Sequence, residues 1–92
     1  MKNSVITEVL KDMDPATKQR VDNRMYLAVK IQDILTAKGM KKKELAALLN
    51  KNASEISKWL SGDHNFTIDT LSEIGAALGV NLLQNESLKK AI

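Results

Sequence analysis

The sequence predicts an all-α domain, a bundle of four to five helices preceded by an N-terminal helical arm. Three observations predict this class. Apolar residues recur at helical spacing along most of the 92 residues. Gly39 and Gly79 are each followed by an apolar residue, a combination typical of helix ends. Aromatic residues make up only 3% of the chain, fewer than a β-sandwich or barrel would need.

Residues 1–20 are interpreted as the arm. A short helix near residues 4–12 is expected there because its apolar residues line one face. The members of this stripe are Val5, Ile6, Val9, Leu10 and Met13. The stripe either packs on the domain or forms a docking face for a second protein, and the sequence leaves both alternatives open.

A second helical segment extends from Asp14 and Pro15 to Lys38, because Asp14 suits an N-cap and Pro15 suits the first helical position. A single helix of about 24 residues is long for so small a domain. We therefore expect it to break near Asp22 and Asn23.

Three shorter helices are expected at residues 42–49, 53–60 and 67–78. Thr67 is the expected N-cap of the last one, and Gly75 inside it indicates a close backbone contact. Residues 80–84 fit a short strand or another helical turn. The domain is therefore assigned to residues 21–84 and a C-terminal tail to residues 85–92.

The positive charge of the chain is concentrated in its middle third. The whole chain carries +3, but residues 38–62 hold six lysines against two glutamates, which is a net charge of +4. Such a segment fits a face that binds a polyanion, or equally a solvated helix surface. A second signal is needed to decide between the two.

That signal lies in residues 41–62, KKKELAALLNKNASEISKWLSG, which predict two short helices joined by a three-residue turn. So tight a turn forces the helices to cross steeply, as in a helix-turn-helix. Ala46 is small where the second helix must come close, and Asn50 stands where the turn needs a left-handed residue. The residues expected to fill the wedge between the helices are Leu45, Leu49, Ile56 and Trp59.

The segment ELAALLNKNASEISKWLSG resembles the helix-turn-helix of phage-repressor-like, or XRE-family, transcriptional regulators, and the likeness extends over roughly residues 25–83. The matching pattern positions are Leu45, Ala46, Asn50, Ile56 and Trp59. The chain departs from the family at the turn, where Gly and an aliphatic residue are usual and Asn50 and Lys51 stand here. The resemblance implies a phage-repressor-like bundle whose second motif helix enters the DNA major groove.

Site residues follow from the resemblance by position. The base contacts that it implies are Asn52, Ala53, Ser54, Glu55, Ser57 and Lys58, whose side chains can read base edges. The phosphate contacts that it implies are Lys41, Lys42, Lys43, Ser61, His64, Asn65 and Thr67. The three lysines oppose the dipole at a helix start, so they need another role, and phosphate binding supplies one.

Other chemistry has little support in the sequence. Trp59 could stack on a base, but its position on the inner face favours the core, and Phe66 is expected to staple the following helix. The chain has no cysteine and one histidine, His64, so we expect no metal site, no cofactor and no catalytic group. The protein is therefore not expected to be an enzyme.

The sequence thus predicts a DNA-binding repressor that acts as a homodimer on a pseudo-palindromic operator. The alternative is an antitoxin that neutralises a cognate toxin protein and regulates its own operon, because small XRE-family proteins with added helices resemble HigA-type antitoxins. No apolar run is long enough for a membrane span, and the N-terminus does not look like a secretory signal. We therefore expect a cytoplasmic protein without a membrane partner.

Overall fold

A computed structural model of the chain describes residues 14–84, and four helices make up most of that range. They are α1 (Pro15–Lys38), α2 (Lys42–Leu49), α3 (Ala53–Trp59) and α4 (Ile68–Leu78). No strand occurs in the described part, so the predicted all-α class is confirmed. The expected arm helix, its apolar stripe and the tail of residues 85–92 lie outside the described residues. Within residues 14–84, no helix has both the length and the apolar character needed to cross a membrane.

Helix α1 begins at the expected cap. Oδ1 of Asp14 accepts a hydrogen bond of 2.8 Å from the backbone N–H of Thr17, and Oδ2 accepts one of 2.9 Å from the Thr17 hydroxyl. These two bonds, the backbone bond first, lower the pKa of the Asp14 carboxyl below its usual value because they favour the charged form. Pro15 occupies the first turn, as expected.

The break that we expected near Asp22 and Asn23 is wrong, because α1 is continuous from Pro15 to Lys38. An ion pair of 2.8 Å between Lys18 Nζ and Asp22 Oδ2 spans one helical turn across this region. The second half of α1 is then held by tertiary packing, since Ala28, Ile31 and Leu35 are buried.

The turn after α4 is built around a close backbone approach at Gly75. A β-carbon at this position would lie 2.6 Å from the carbonyl oxygen of Val80, so the predicted close contact is confirmed. Residues 80–84 form a turn rather than a strand. Its backbone is held by Asn81, whose side-chain Oδ1 accepts from Leu83 N at 3.0 Å and whose carbonyl accepts from Gln84 N at 3.2 Å.

All four helices and the turn after α4 contribute to one hydrophobic core. Its buried members are Ile31, Leu35, Leu45, Ala46, Ile56, Trp59, Leu71, Ile74, Leu78 and Leu82. Leu49 and Phe66 are half-buried against this cluster. The predicted wedge between α2 and α3 is therefore confirmed, whereas Leu48 and Ile68 face outwards and do not belong to the core.

Candidate nucleic-acid interface

The turn between α2 and α3 reverses the chain at a single left-handed residue. Asn50 has φ 57° and ψ 47°, so the predicted left-handed conformation is confirmed. Beyond it, the N–H of Lys51 donates to the carbonyl oxygen of Ala46 at 2.8 Å. The departure from the family pattern at Asn50 and Lys51 therefore leaves the turn hydrogen-bonded.

Packing fixes which face of α3 is turned away from the protein. Ile56 and Trp59 of α3 are buried against Leu45 and Ala46 of α2 in the common core. Trp59 is only 6% exposed, so the prediction that it packs in the core is confirmed. With these residues directed inwards, the rest of the seven-residue helix faces solvent, apart from the half-buried Glu55.

Five of the six predicted base-reading residues are exposed at the start of α3 or along it. They are Asn52, Ala53, Ser54, Ser57 and Lys58. Glu55 differs because it is half-buried and its Oε1 accepts a hydrogen bond of 3.2 Å from the backbone N–H of Asn52. One carboxylate oxygen of Glu55 is thus used to cap α3, which sequence reasoning did not anticipate.

The start of α2 presents three exposed lysines. Lys41 is the N-cap residue, and Lys42 and Lys43 are the first two helical residues. Oε1 of Glu44 accepts from the N–H of Lys41 at 2.6 Å, which satisfies one donor at this end. Among residues 14–84, no carboxylate forms an ion pair with any of the three lysines. Their charges, together with the remaining N–H groups of the first turn, are therefore available to an anion.

The loop of residues 61–67 connects the end of α3 to α4. Two of its predicted phosphate ligands have their hydroxyls engaged locally. Ser61 Oγ donates to the carbonyl of Lys58 at 2.7 Å, and Thr67 Oγ1 caps α4 by accepting from Thr70 N at 3.0 Å. Their side chains shape the loop, and a phosphate contact at either residue would compete with these bonds.

The other two predicted phosphate ligands in this loop, His64 and Asn65, are differently placed. Asn65 is exposed and His64 is half-buried. The His64 ring meets Phe66 edge to face, with 4.8 Å between the ring centroids, and Phe66 in turn lies 6.4 Å from the Trp59 ring. This aromatic group ties the loop to the core and holds His64 at the surface.

Two arginines of α1, which sequence reasoning did not single out, lie beside the same loop. Arg20 and Arg24 line a cavity of about 270 Å³ together with His64, Asn65 and Phe66. Nη1 of Arg24 stands 3.6 Å from Oδ1 of Asp63. The spacing of the two arginines by four residues places them on one helix face, but only the tertiary packing of the loop reveals their neighbours.

Within residues 14–84, no group of His, Asp or Glu side chains could hold a metal ion. No curated protein and no solved structure matches the chain significantly. A family model described as Helix-turn-helix matches residues 31–84, which is more than half of the chain and runs from within α1 to the turn after α4. The chain therefore belongs to the XRE-type helix-turn-helix family of DNA-binding regulators.

Proposed function

We propose that the protein is a transcriptional repressor that binds an operator in duplex DNA and places α3 in the major groove. One observation carries the proposal, the exposed polar face of α3 beside the three exposed lysines at the start of α2, which form no ion pair within residues 14–84. Ile56 and Trp59 anchor the opposite face of α3, so the polar face is held rigidly for a ligand.

The side chains on this face have the chemistry that base reading requires. Asn52 suits adenine, Lys58 suits guanine, and the methyl group of Ala53 suits the thymine methyl. The second carboxylate oxygen of Glu55, which the cap does not use, can accept from a cytosine amine. Contacts of Lys41 to Lys43 with phosphates would set the register of α3 in the groove.

The short recognition helix favours a dimer. Seven residues of α helix span about 10 Å, enough for only a few base pairs, so one domain would read a half-site. A twofold homodimer would read two half-sites roughly 34–36 Å apart on one face of the duplex. Such a repressor needs no cofactor and no catalytic group, and it would act in the cytoplasm.

Selection of binding sites from random duplexes tests the proposal. The full chain should enrich a pseudo-palindromic sequence, and sedimentation should show two chains on each selected duplex. Equal affinity for all duplexes would contradict base reading by α3. One chain per duplex would contradict the dimer and leave the DNA-binding function intact.

The apolar stripe of the amino-terminal segment supports a second candidate function, that of an antitoxin that binds a toxin protein. The stripe of Val5, Ile6, Val9, Leu10 and Met13 would be the docking face. Co-expression of the full chain with the product of the adjacent gene tests this candidate. A stable complex that is lost when Val5 and Val9 are both changed to Ser would support it, and an unchanged complex would contradict this docking face.

A further inference from the structure

A pocket between α1 and the loop of residues 61–67 combines positive charge with an apolar wall. Its volume is about 270 Å³, and its polar lining is supplied by Arg20, Asn23, Arg24, His64 and Asn65. Leu27 and Phe66 supply the apolar wall. We call this feature the arginine pocket. It lies outside the set of residues that the helix-turn-helix resemblance assigns to DNA, apart from His64 and Asn65.

Within residues 14–84, the charges of the arginine pocket are only partly compensated by carboxylates. Nη2 of Arg20 donates to the hydroxyl of Thr17 at 2.9 Å, and the charge of Arg20 also acts on the Asp14 carboxylate, although no carboxylate within residues 14–84 lies within ion-pair distance of it. Among the same residues Arg24 pairs with Asp63 alone, at 3.6 Å, and the Asp63 side chain is 91% exposed, so water weakens that pair. Two like charges four residues apart on a helix also repel each other. An anion held between the two arginines would relieve this repulsion.

The chemistry of the pocket fits a phosphate group. A guanidinium presents parallel N–H donors that match two phosphate oxygens, and two such groups line this pocket with an imidazole and two amides as further donors. The apolar wall of Leu27 and Phe66 limits hydration of the ion and strengthens the attraction. A phosphodiester of DNA would in addition bring a sugar whose apolar face suits that wall.

The position of the pocket points to DNA as the source of that phosphate. Its loop side is formed by His64 and Asn65, and this loop leads directly from the C-terminal end of α3. A backbone that follows the groove past α3 would meet the loop next. We infer that the arginine pocket binds one phosphodiester of the DNA backbone beside the site read by α3, an inference that rests on the proposed function.

This contact would be an addition to the common helix-turn-helix module. The family match begins at residue 31, whereas Arg20 and Arg24 lie in the earlier half of α1. The unbroken α1 is what carries them to the loop, because a break near Asp22 would have uncoupled Arg20 from the rest of the domain. The length of α1 would thus extend the DNA footprint.

The first test removes both arginine charges in the full chain. Arg20→Gln plus Arg24→Gln is compared with Lys18→Gln, which removes charge from the same helix outside the pocket, on a duplex selected by the wild type. The double variant should flatten the slope of log affinity against log salt by about 0.9 for one lost phosphate contact. The ratio of wild-type to variant affinity should then grow about eightfold between roughly 500 mM and 50 mM salt.

A second variant changes the charge in the opposite direction. Asp63→Asn frees Arg24 from its partner and should tighten DNA binding by about 1.4- to fivefold, as expected for release of an exposed ion pair. The gain should vanish when Arg24→Gln is also present, because the effect acts through Arg24. Equal gains in both backgrounds would assign the effect of Asp63 to general repulsion and overturn this part of the inference.

Two further measurements identify the source of the phosphate. Duplexes with a single neutral methylphosphonate at successive outer positions should include one that weakens the wild type and leaves the double variant unaffected. Inorganic phosphate should shift the Arg20 and Arg24 side-chain resonances only weakly. Strong shifts with inorganic phosphate, combined with a salt slope on DNA equal to that of Lys18→Gln, would make the pocket a free-anion site and overturn the inference. The proposed function fails separately, if the wild type shows no selective binding to any duplex.

Discussion

The backbone N–H of Lys51 donates a hydrogen bond of 2.8 Å to the carbonyl oxygen of Ala46, across the left-handed residue that separates α2 from α3. This bond joins Ala46, the small buried residue at which the two helices meet, to the residue that follows Asn50 in the turn. It forms because Asn50 tolerates a φ of 57°, so a glycine is not required here. The orientation of α3 on α2 thus depends on the backbone conformation of Asn50.

Substitutions at Asn50 test that dependence. Asn50→Ala should destabilise the domain by about 1 kcal/mol, because alanine is strained in the left-handed conformation. Asn50→Gly, the matched variant, should be neutral or slightly stabilising. Thermal unfolding of the three proteins measures the difference. An alanine variant as stable as the glycine variant would mean that the turn does not hold residue 50 in this conformation.

The lysines at the start of α2 should act on DNA through phosphates alone. Lys42→Ala plus Lys43→Ala should weaken binding to selected and random duplexes by similar factors. It should also flatten the salt dependence by about one to two units of slope. Fluorescence anisotropy at several salt concentrations measures both, with Lys18→Ala as the control for loss of charge. A slope equal to that of the wild type would show that neither lysine contacts a DNA phosphate.

The residues at the N-terminal end of α3 should discriminate between DNA sequences. Asn52→Ala or Ser54→Ala should weaken binding to the selected site by roughly 1–3 kcal/mol and affect random DNA much less. Both side chains are exposed, but Asn52 is also the N-cap of α3, so circular dichroism must first show that the helix content is unchanged. Ala76→Ser, on the exposed surface of α4, is the control. Equal losses on both kinds of DNA would show that these residues contact no base.

The charge of Asp14 should stabilise the start of α1 in a pH-dependent way. Its pKa is lowered in the folded state, first by the hydrogen bond from Thr17 N. The stabilisation is therefore present above the unfolded pKa of about 3.9 and is lost as the pH falls through the lower folded pKa. The melting temperature of the wild type should exceed that of Asp14→Asn at neutral pH, and the difference should shrink below about pH 3.9. A carboxyl titration by NMR at or above the usual value would contradict this.

Local patterns in the sequence predict the helix-turn-helix correctly, but they do not predict which residues pack around the loop of residues 61–67. The bounds of α2, the left-handed Asn50 and the cap at Thr67 follow from spacing and residue type, and all three are confirmed. The break in α1 was predicted from length alone, which ignored the stabilising pair at Asp22. The arginine pocket was missed because it depends on contacts between residues some forty positions apart in sequence.

The capping role of Glu55 shows a further limit of carrying roles over by position. Family position assigns this residue to the bases, but its carboxylate also lies within reach of the N–H that it caps at Asn52. Base contact and helix capping use the same side chain, and only the three-dimensional structure reveals the capping role. The contact of Glu55 with a base stays a prediction.

The close approach at Gly75 should reverse the usual effect of replacing a helical glycine. On helix propensity alone, Gly75→Ala would raise stability by about 1 kcal/mol. Here the new methyl group would lie 2.6 Å from the carbonyl oxygen of Val80, so backbone must move. That movement would disturb the hydrogen bond of 2.9 Å from Val80 N to the Gly75 carbonyl, and with it the buried position of Leu82. Overpacking of this kind typically destabilises by about 1–3 kcal/mol, so the variant should melt at a lower temperature than the wild type.

Ser72→Ala, an exposed change on the same helix, controls for propensity and should be neutral or stabilising. A higher melting temperature for Gly75→Ala would mean that the turn after α4 can move away from α4 without loss of packing.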